Sequence, residues 1–188
     1  MKKILLVAAA AIIALGASAQ NIKIAHVNYS ELVQLMPEAD EARAALNASS
    51  AEAEETYQSM AEEFNSKYQQ YQSKASTWTQ TVRESKEKEL AEIQNRIQEF
   101  QQNIQYELQQ QQNTLMAPIQ EKALNTVNKL AKDGGYAFVF DASQFIYVDK
   151  SQSTDLTPAA RKALNIKDGR TLESLQAELQ AQQAAAQQ

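Results

Sequence analysis

The only histidine of this chain, His26, stands in the alternating stretch Ile22-Lys23-Ile24-Ala25-His26-Val27, and the chain has no cysteine. A nucleophilic triad or a histidine-dependent zinc site needs convergent partners, and thiol chemistry needs a thiol. A lone histidine in a strand reads as a satisfied structural residue. The 23 Asp and Glu fall with lysines at helical i, i+3 and i+4 spacing, as in Glu84 and Lys88, the pattern of a solvated, salt-paired face. Gly134-Gly135 lacks the Gly-Lys-Ser/Thr ending of a phosphate-binding loop, so ATP-driven action is not expected. No catalytic, cofactor or metal residue is assigned, and no enzyme is expected. The side chains with something to offer are apolar. Tyr57, Phe64, Tyr71 and Trp78 recur one heptad apart, with Tyr68 between them. Such a row packs a helix seam, and a two-helix seam is too thin to cover every bulky aromatic. Tyr68 and Trp78 are the two expected to be partly exposed.

The elements that carry this row follow from composition. From Glu38 to Ala117 there is neither glycine nor proline, and Glu, Gln, Ala and Lys abound. A helix over that span would reach roughly 120 Å, far beyond a compact domain. Two apolar beats are visible: the aromatic one, and Leu90, Ile93, Ile97, Phe100, Ile104, Leu108 and Leu115. Between them Arg83 to Glu89 holds no apolar residue. Reversal near Ser85 would set Trp78 beside Ile93, Tyr71 beside Phe100 and Phe64 beside Leu108. The expectation is an antiparallel coiled-coil hairpin over 37–132 with its tip near 83–89, one unbroken helix being the alternative. Pro118 removes a donor inside the returning limb, and Gly134-Gly135 ends it.

Around the arm the reading is a small α+β body formed by residues 20–36 and 133–165. Tyr136 to Asp141 and Phe145 to Val148, joined by Ala142-Ser143-Gln144, read as a β-hairpin beside the N-terminal strand. Three short strands alone bury too little and leave edges open, so copies are expected to join. Ile22, Ile24, Val27, Val139, Phe140, Ile146 and Tyr147 are the oligomer-core candidates. Residues 166–188 read as a C-terminal extension, partly disordered. Residues 1–19 read as a signal peptide: Lys2-Lys3, the apolar Ile4 to Leu15, and Ala17-Ser18-Ala19 with cleavage after Ala19. The exported chain then carries 16 basic and 23 acidic residues, a net −7, which argues against nucleic acid as partner. Arg83, Lys86 and Lys88 could meet a membrane surface, but Glu84, Glu87 and Glu89 cancel them.

In this order, the strand ending at Val27, Leu32, Pro37-Glu38, the helical hairpin, Pro118-Ile119, Gly135-Tyr136, Val139, Asp141-Ala142, Tyr147 and Asp155-Leu156-Thr157 resemble the Skp (OmpH) family of periplasmic chaperones. The resemblance implies a homotrimer whose sheets close into a β-barrel, with three arms enclosing a cavity like the tentacles of a jellyfish. It implies an ATP-independent holdase that keeps unfolded outer-membrane proteins from aggregating in transit, without a cofactor, and it makes Tyr57, Phe64, Tyr68, Tyr71 and Trp78 the client-contact candidates. The acidic charge of this chain departs from the basic character of the best-studied members. A structural or adaptor coiled coil bridging envelope components is the alternative.

Overall fold

The computed structural model describes residues 22–186; the expected signal peptide and its cleavage point lie outside them. Strand β1 (Ile24–Val27) leads into helix α1 (Tyr29–Leu35), capped by the Asn28 side chain, which accepts from the Glu31 N–H. Met36, extended at ψ 142°, separates α1 from the outgoing limb α2 (Pro37–Lys74). Proline in the first turn costs no intrahelical bond, and Glu38 and Asp40 suit the positive end of the helix dipole. The returning limb α3 (Gln80–Gly134) packs antiparallel against α2. Gly135, at φ 67°, ends it as expected, its N–H reaching the carbonyls of Ala131 and Lys132.

The reversal falls earlier than expected, and the expected tip at 83–89 is corrected. A single 3₁₀ turn, Ala75–Thr77, followed by extended Trp78 and Thr79, turns the chain, and residues 83–89 lie within α3. Cross-limb pairs give the register: Glu38 with Lys122, Ser49 with Gln111, Glu63 with Arg96, Lys67 with Glu89 and Tyr71 with Glu87. Each pair is centred between Trp78 and Gln80, so the expected apposition of Trp78 with Ile93, Tyr71 with Phe100 and Phe64 with Leu108 is corrected too. The physical reason lies in residue type. Ser76, Thr77, Thr79 and Thr81 are hydroxyl-bearing and mostly β-branched, and the Thr77 hydroxyl donates to the Lys74 carbonyl in competition with the helix. Residues 83–89 are polar but strong helix formers, and ion pairs such as Lys86–Glu89 and Lys88–Glu92 support them.

The sheet has the order β2-β1-β3, with β2 at Phe138–Asp141 and β3 at Ser153–Asp155, both parallel to β1. The expected β-hairpin is therefore corrected. Residues 142–144 form a 3₁₀ turn after Asp141, whose side chain accepts from the Ser143 N–H, and Phe145 to Val148 run without a ladder partner. Asp149 then accepts from the N–H and hydroxyl of Ser151 and turns the chain into β3. Helix α4 (Thr157–Ala163) follows, and α5 (Leu172–Ala186) closes the described chain.

One core joins the body to the arm root. It comprises Val27, Leu32, Val33, Leu35 and Met36, then Ala39 and Ala42 of α2, Ile119, Ala123 and Val127 of α3, Ala160 and Leu164, and Ile166 and Leu175. The last two belong to the C-terminal extension, which is helical from Leu172 to Ala186. Beyond the root, Ile93 is the one buried residue of either limb among those described.

Candidate functional site

The apolar surface of the arm is the candidate site, and it is built by a mismatch between the limbs. The outgoing limb carries a run of small residues, Ala48-Ser49-Ser50-Ala51 followed by Ala53, where the returning limb presents Phe100, Ile104 and Leu108. Small against large leaves the seam under-filled. A groove of about 400 Å³ lined by Ala53, Tyr57, Phe100, Ile104 and Leu108 opens on one side. A second, of about 290 Å³, reaches Phe100, Ile104 and Leu108 from the other. Both present apolar flanks to whatever lies along the arm.

The aromatic row is placed as follows. Tyr57, Phe64, Tyr71 and Trp78 are half-buried along the seam, and Tyr68 is 44% exposed. Phe64 and Tyr68 stack with centroids 6.0 Å apart, and Tyr71 meets Trp78 edge-on at 6.0 Å. The Tyr71 hydroxyl donates to Glu87, which raises the pKa of the phenol. Glu89 accepts from Lys67 and Lys86, and these two cations hold its carboxyl at about 2. The sequence reading missed the part of Phe100, Ile104 and Leu108 in an open groove. Its signal was present in the alanine and serine run, but only the correct register places that run opposite them.

At the body, the oligomer-core candidates divide. Val27 is buried, and Ile24, Val139 and Phe140 are half-buried. Ile22 is 57% exposed, Tyr147 79% and Ile146 fully so, joined by exposed Phe138 and Phe145. The Phe145 ring lies 4.6 Å from that of Phe140, which ties the unpaired 145–148 stretch to β2. A cluster this apolar beside an open sheet edge is unusual on a lone subunit.

The parallel register also assembles a serine, a histidine and an aspartate. His26 lies opposite Asp155, with its Nδ1 2.8 Å from the Ser153 hydroxyl and its Nε2 4.0 Å from Asp155 Oδ1. His26 and Ser153 are both buried, and the imidazole is stacked over Phe140. A hydroxyl buried between strands has no approach for a substrate, so the trio acts as a cross-strand tie. The expected reading of His26 as a satisfied structural residue fits this geometry. Its partners were not foreseen because β3 itself was not.

Residues 23–164 match the family described as outer membrane protein (OmpH-like), which is well over half of the chain. The chain belongs to the OmpH-like family. No curated protein matches it. For an OmpH-like chain the fold agrees in kind: mostly helical, with two long helices and a small three-stranded sheet. Family membership points to a chaperone-type role in the periplasm and not to enzymatic chemistry. No helix among the described residues is long and apolar enough to cross a membrane.

Proposed function

We propose that this OmpH-like chain is an ATP-independent periplasmic holdase. It binds unfolded outer-membrane proteins in a cavity between helical arms and keeps their apolar strands from meeting one another. The under-filled seam carries the reading: Tyr57, Phe100, Ile104 and Leu108 flank an open groove well away from the body. Tyr57, Phe64, Tyr68, Tyr71 and Trp78 are the contacts proposed for the client. Each contact is weak and releasable, and several arms holding one chain together retain it by multivalency.

Three copies would build the cavity. The exposed Ile146, Tyr147, Phe138 and Ile22 support a shared core in which the unpaired 145–148 stretch finds a strand partner in the neighbouring copy and the sheets close into a barrel. Residues 20–36 and 133–165 then form the body and 37–132 the arm, after export and removal of residues 1–19. The test is light scattering of a β-barrel outer-membrane protein diluted from urea. Suppression at near-stoichiometric protein without nucleotide supports the holdase; no suppression at several-fold excess refutes it and leaves the envelope adaptor.

A further inference from the structure

The family match ends at residue 164, yet the chain continues into an ordered segment that packs on the root of the arm. Two left-handed positions, Asn165 at φ 57° and Gly169 at φ 75°, reverse the chain after α4 and aim α5 back toward α1 and α2. Ile166 and Leu175 enter the core at 5% exposure each, and Leu179 packs against it.

Polar contacts fix the same segment. Arg170, 12% exposed at its side chain, donates from both terminal nitrogens to the Asp40 carboxylate in the first turn of α2, and its Nη2 lies 3.7 Å from Glu178 of α5. Arg161 donates to the carbonyls of Lys167 and Arg170 and holds Glu31 of α1 at 2.6 Å. The extension is thus tied to α1, α2 and α4 together.

What it crosses is the junction at which the arm leaves the body. The outgoing limb starts at the Met36 break, and only Ala39 and Ala42 of α2 are buried. At the height of Ala42 and Ala45 the returning limb carries Pro118, which cannot donate to the Thr114 carbonyl, and an open groove of about 420 Å³ runs beside the seam there. A helix break, a missing backbone bond and a pair of alanines therefore coincide within one level of the hairpin. Asp40, the residue Arg170 grips, sits at that level.

We infer that the C-terminal segment 166–186 is a splint that sets the direction in which the arm leaves the body, with the Arg170–Asp40 pair as its clasp. A cleft of about 780 Å³ lies between α5 and residues 40–47, so apart from the clasp the two helices are not closely packed there. Release leaves the body and the hairpin intact and widens the swing of the arm. This does not depend on what the arm binds.

The chain has no cysteine, so Ser76→Cys at the tip and Lys150→Cys on the body give a clean spin-label pair, diluted with unlabelled chains. In the full chain the distance distribution should be narrow. In Arg170→Gln, and in a chain ending at Asn165, it should broaden about two-fold, with Arg170→Lys between. Amide exchange over residues 40–47 should quicken about ten-fold while β1 keeps its protection, as local opening requires. An unchanged distribution in both variants with β1 protected overturns the inference. Equal loss of protection in β1 also overturns it, because α5 would then be a general part of the core and not a splint.

Discussion

Removing the side chain of Ile93 tests how thinly the arm is held. Ile93 is 4% exposed, whereas the aromatics around it are half-covered. Ile93→Ala removes about three methylene equivalents at about 0.8 kcal/mol each, or about 2.4 kcal/mol of transfer free energy. A compact core would add a cavity cost, which places such changes at about 2–5 kcal/mol. In a two-helix seam water and neighbouring side chains reach the site, so the lower end applies. Since 1.36 kcal/mol is one decade, about 2.4 kcal/mol corresponds to local opening roughly 60-fold more frequent. Hydrogen exchange read by mass spectrometry should place that acceleration in residues 60–70 and 86–100, leaving β1 and α1 unchanged. Loss of protection across body and arm alike would contradict this, because it would mean that the limbs and the body unfold as one unit. A change under about three-fold would refute it in the other direction, by showing the seam is held by something besides Ile93.

Acid should loosen the outer arm over a defined window. Lys67 and Lys86 depress Glu89 to about 2, so the tie it contributes is fully present above its ordinary value near 4.5 and is lost as pH falls through about 2. Emission from Trp78, the single tryptophan, should hold steady from pH 7 to 5 and shift between 4.5 and 2, and Glu89→Gln should abolish that acid shift. At the root, burial alone would raise the pKa of Asp40, but hydrogen bonds from Arg170 and Arg43 prevail and lower it. It therefore contributes in the same direction, present at neutral pH and lost in acid. Pro118→Ala restores the donor to the Thr114 carbonyl and should stabilise the returning limb by about 1–3 kcal/mol, read as slower exchange over residues 112–122. Ile146→Asp with Tyr147→Asp should turn any assembly into single subunits by sedimentation velocity while the helical circular dichroism is kept.

The arm was legible because its signals are local: no glycine or proline from Glu38 to Ala117, an aromatic every seven residues, Pro37 at one end and Gly135 at the other. Placing the tip at 83–89 mistakes a run without apolar residues for a turn. In a helix Glu84, Lys88 and Glu92 support one another, and it is Ser76 to Thr81 that lack helical preference. The error displaced the register and hid the groove, since Ala53 meets Phe100 and Ile104 only when the chain reverses at Trp78. The third strand was missed for a different reason. Phe145-Ile146-Tyr147-Val148 carries more strand propensity than Ser153-Thr154-Asp155, but pairing with β1 is decided by the loop that Asp149 turns and by the hydrogen bond between His26 and Ser153. The docking of α5 rests on Arg170 reaching Asp40 across most of the sequence, and no local pattern announces so distant a pair.

In the proposed assembly, copies of this chain join through the β-edge of the body and hold one unfolded client among their arms. Native mass measured on the processed protein, alone and after mixing with a urea-diluted β-barrel outer-membrane protein, tests it most directly. Three subunits alone, and three subunits plus one client chain in the mixture, are the expected masses. A single subunit in both samples would contradict it.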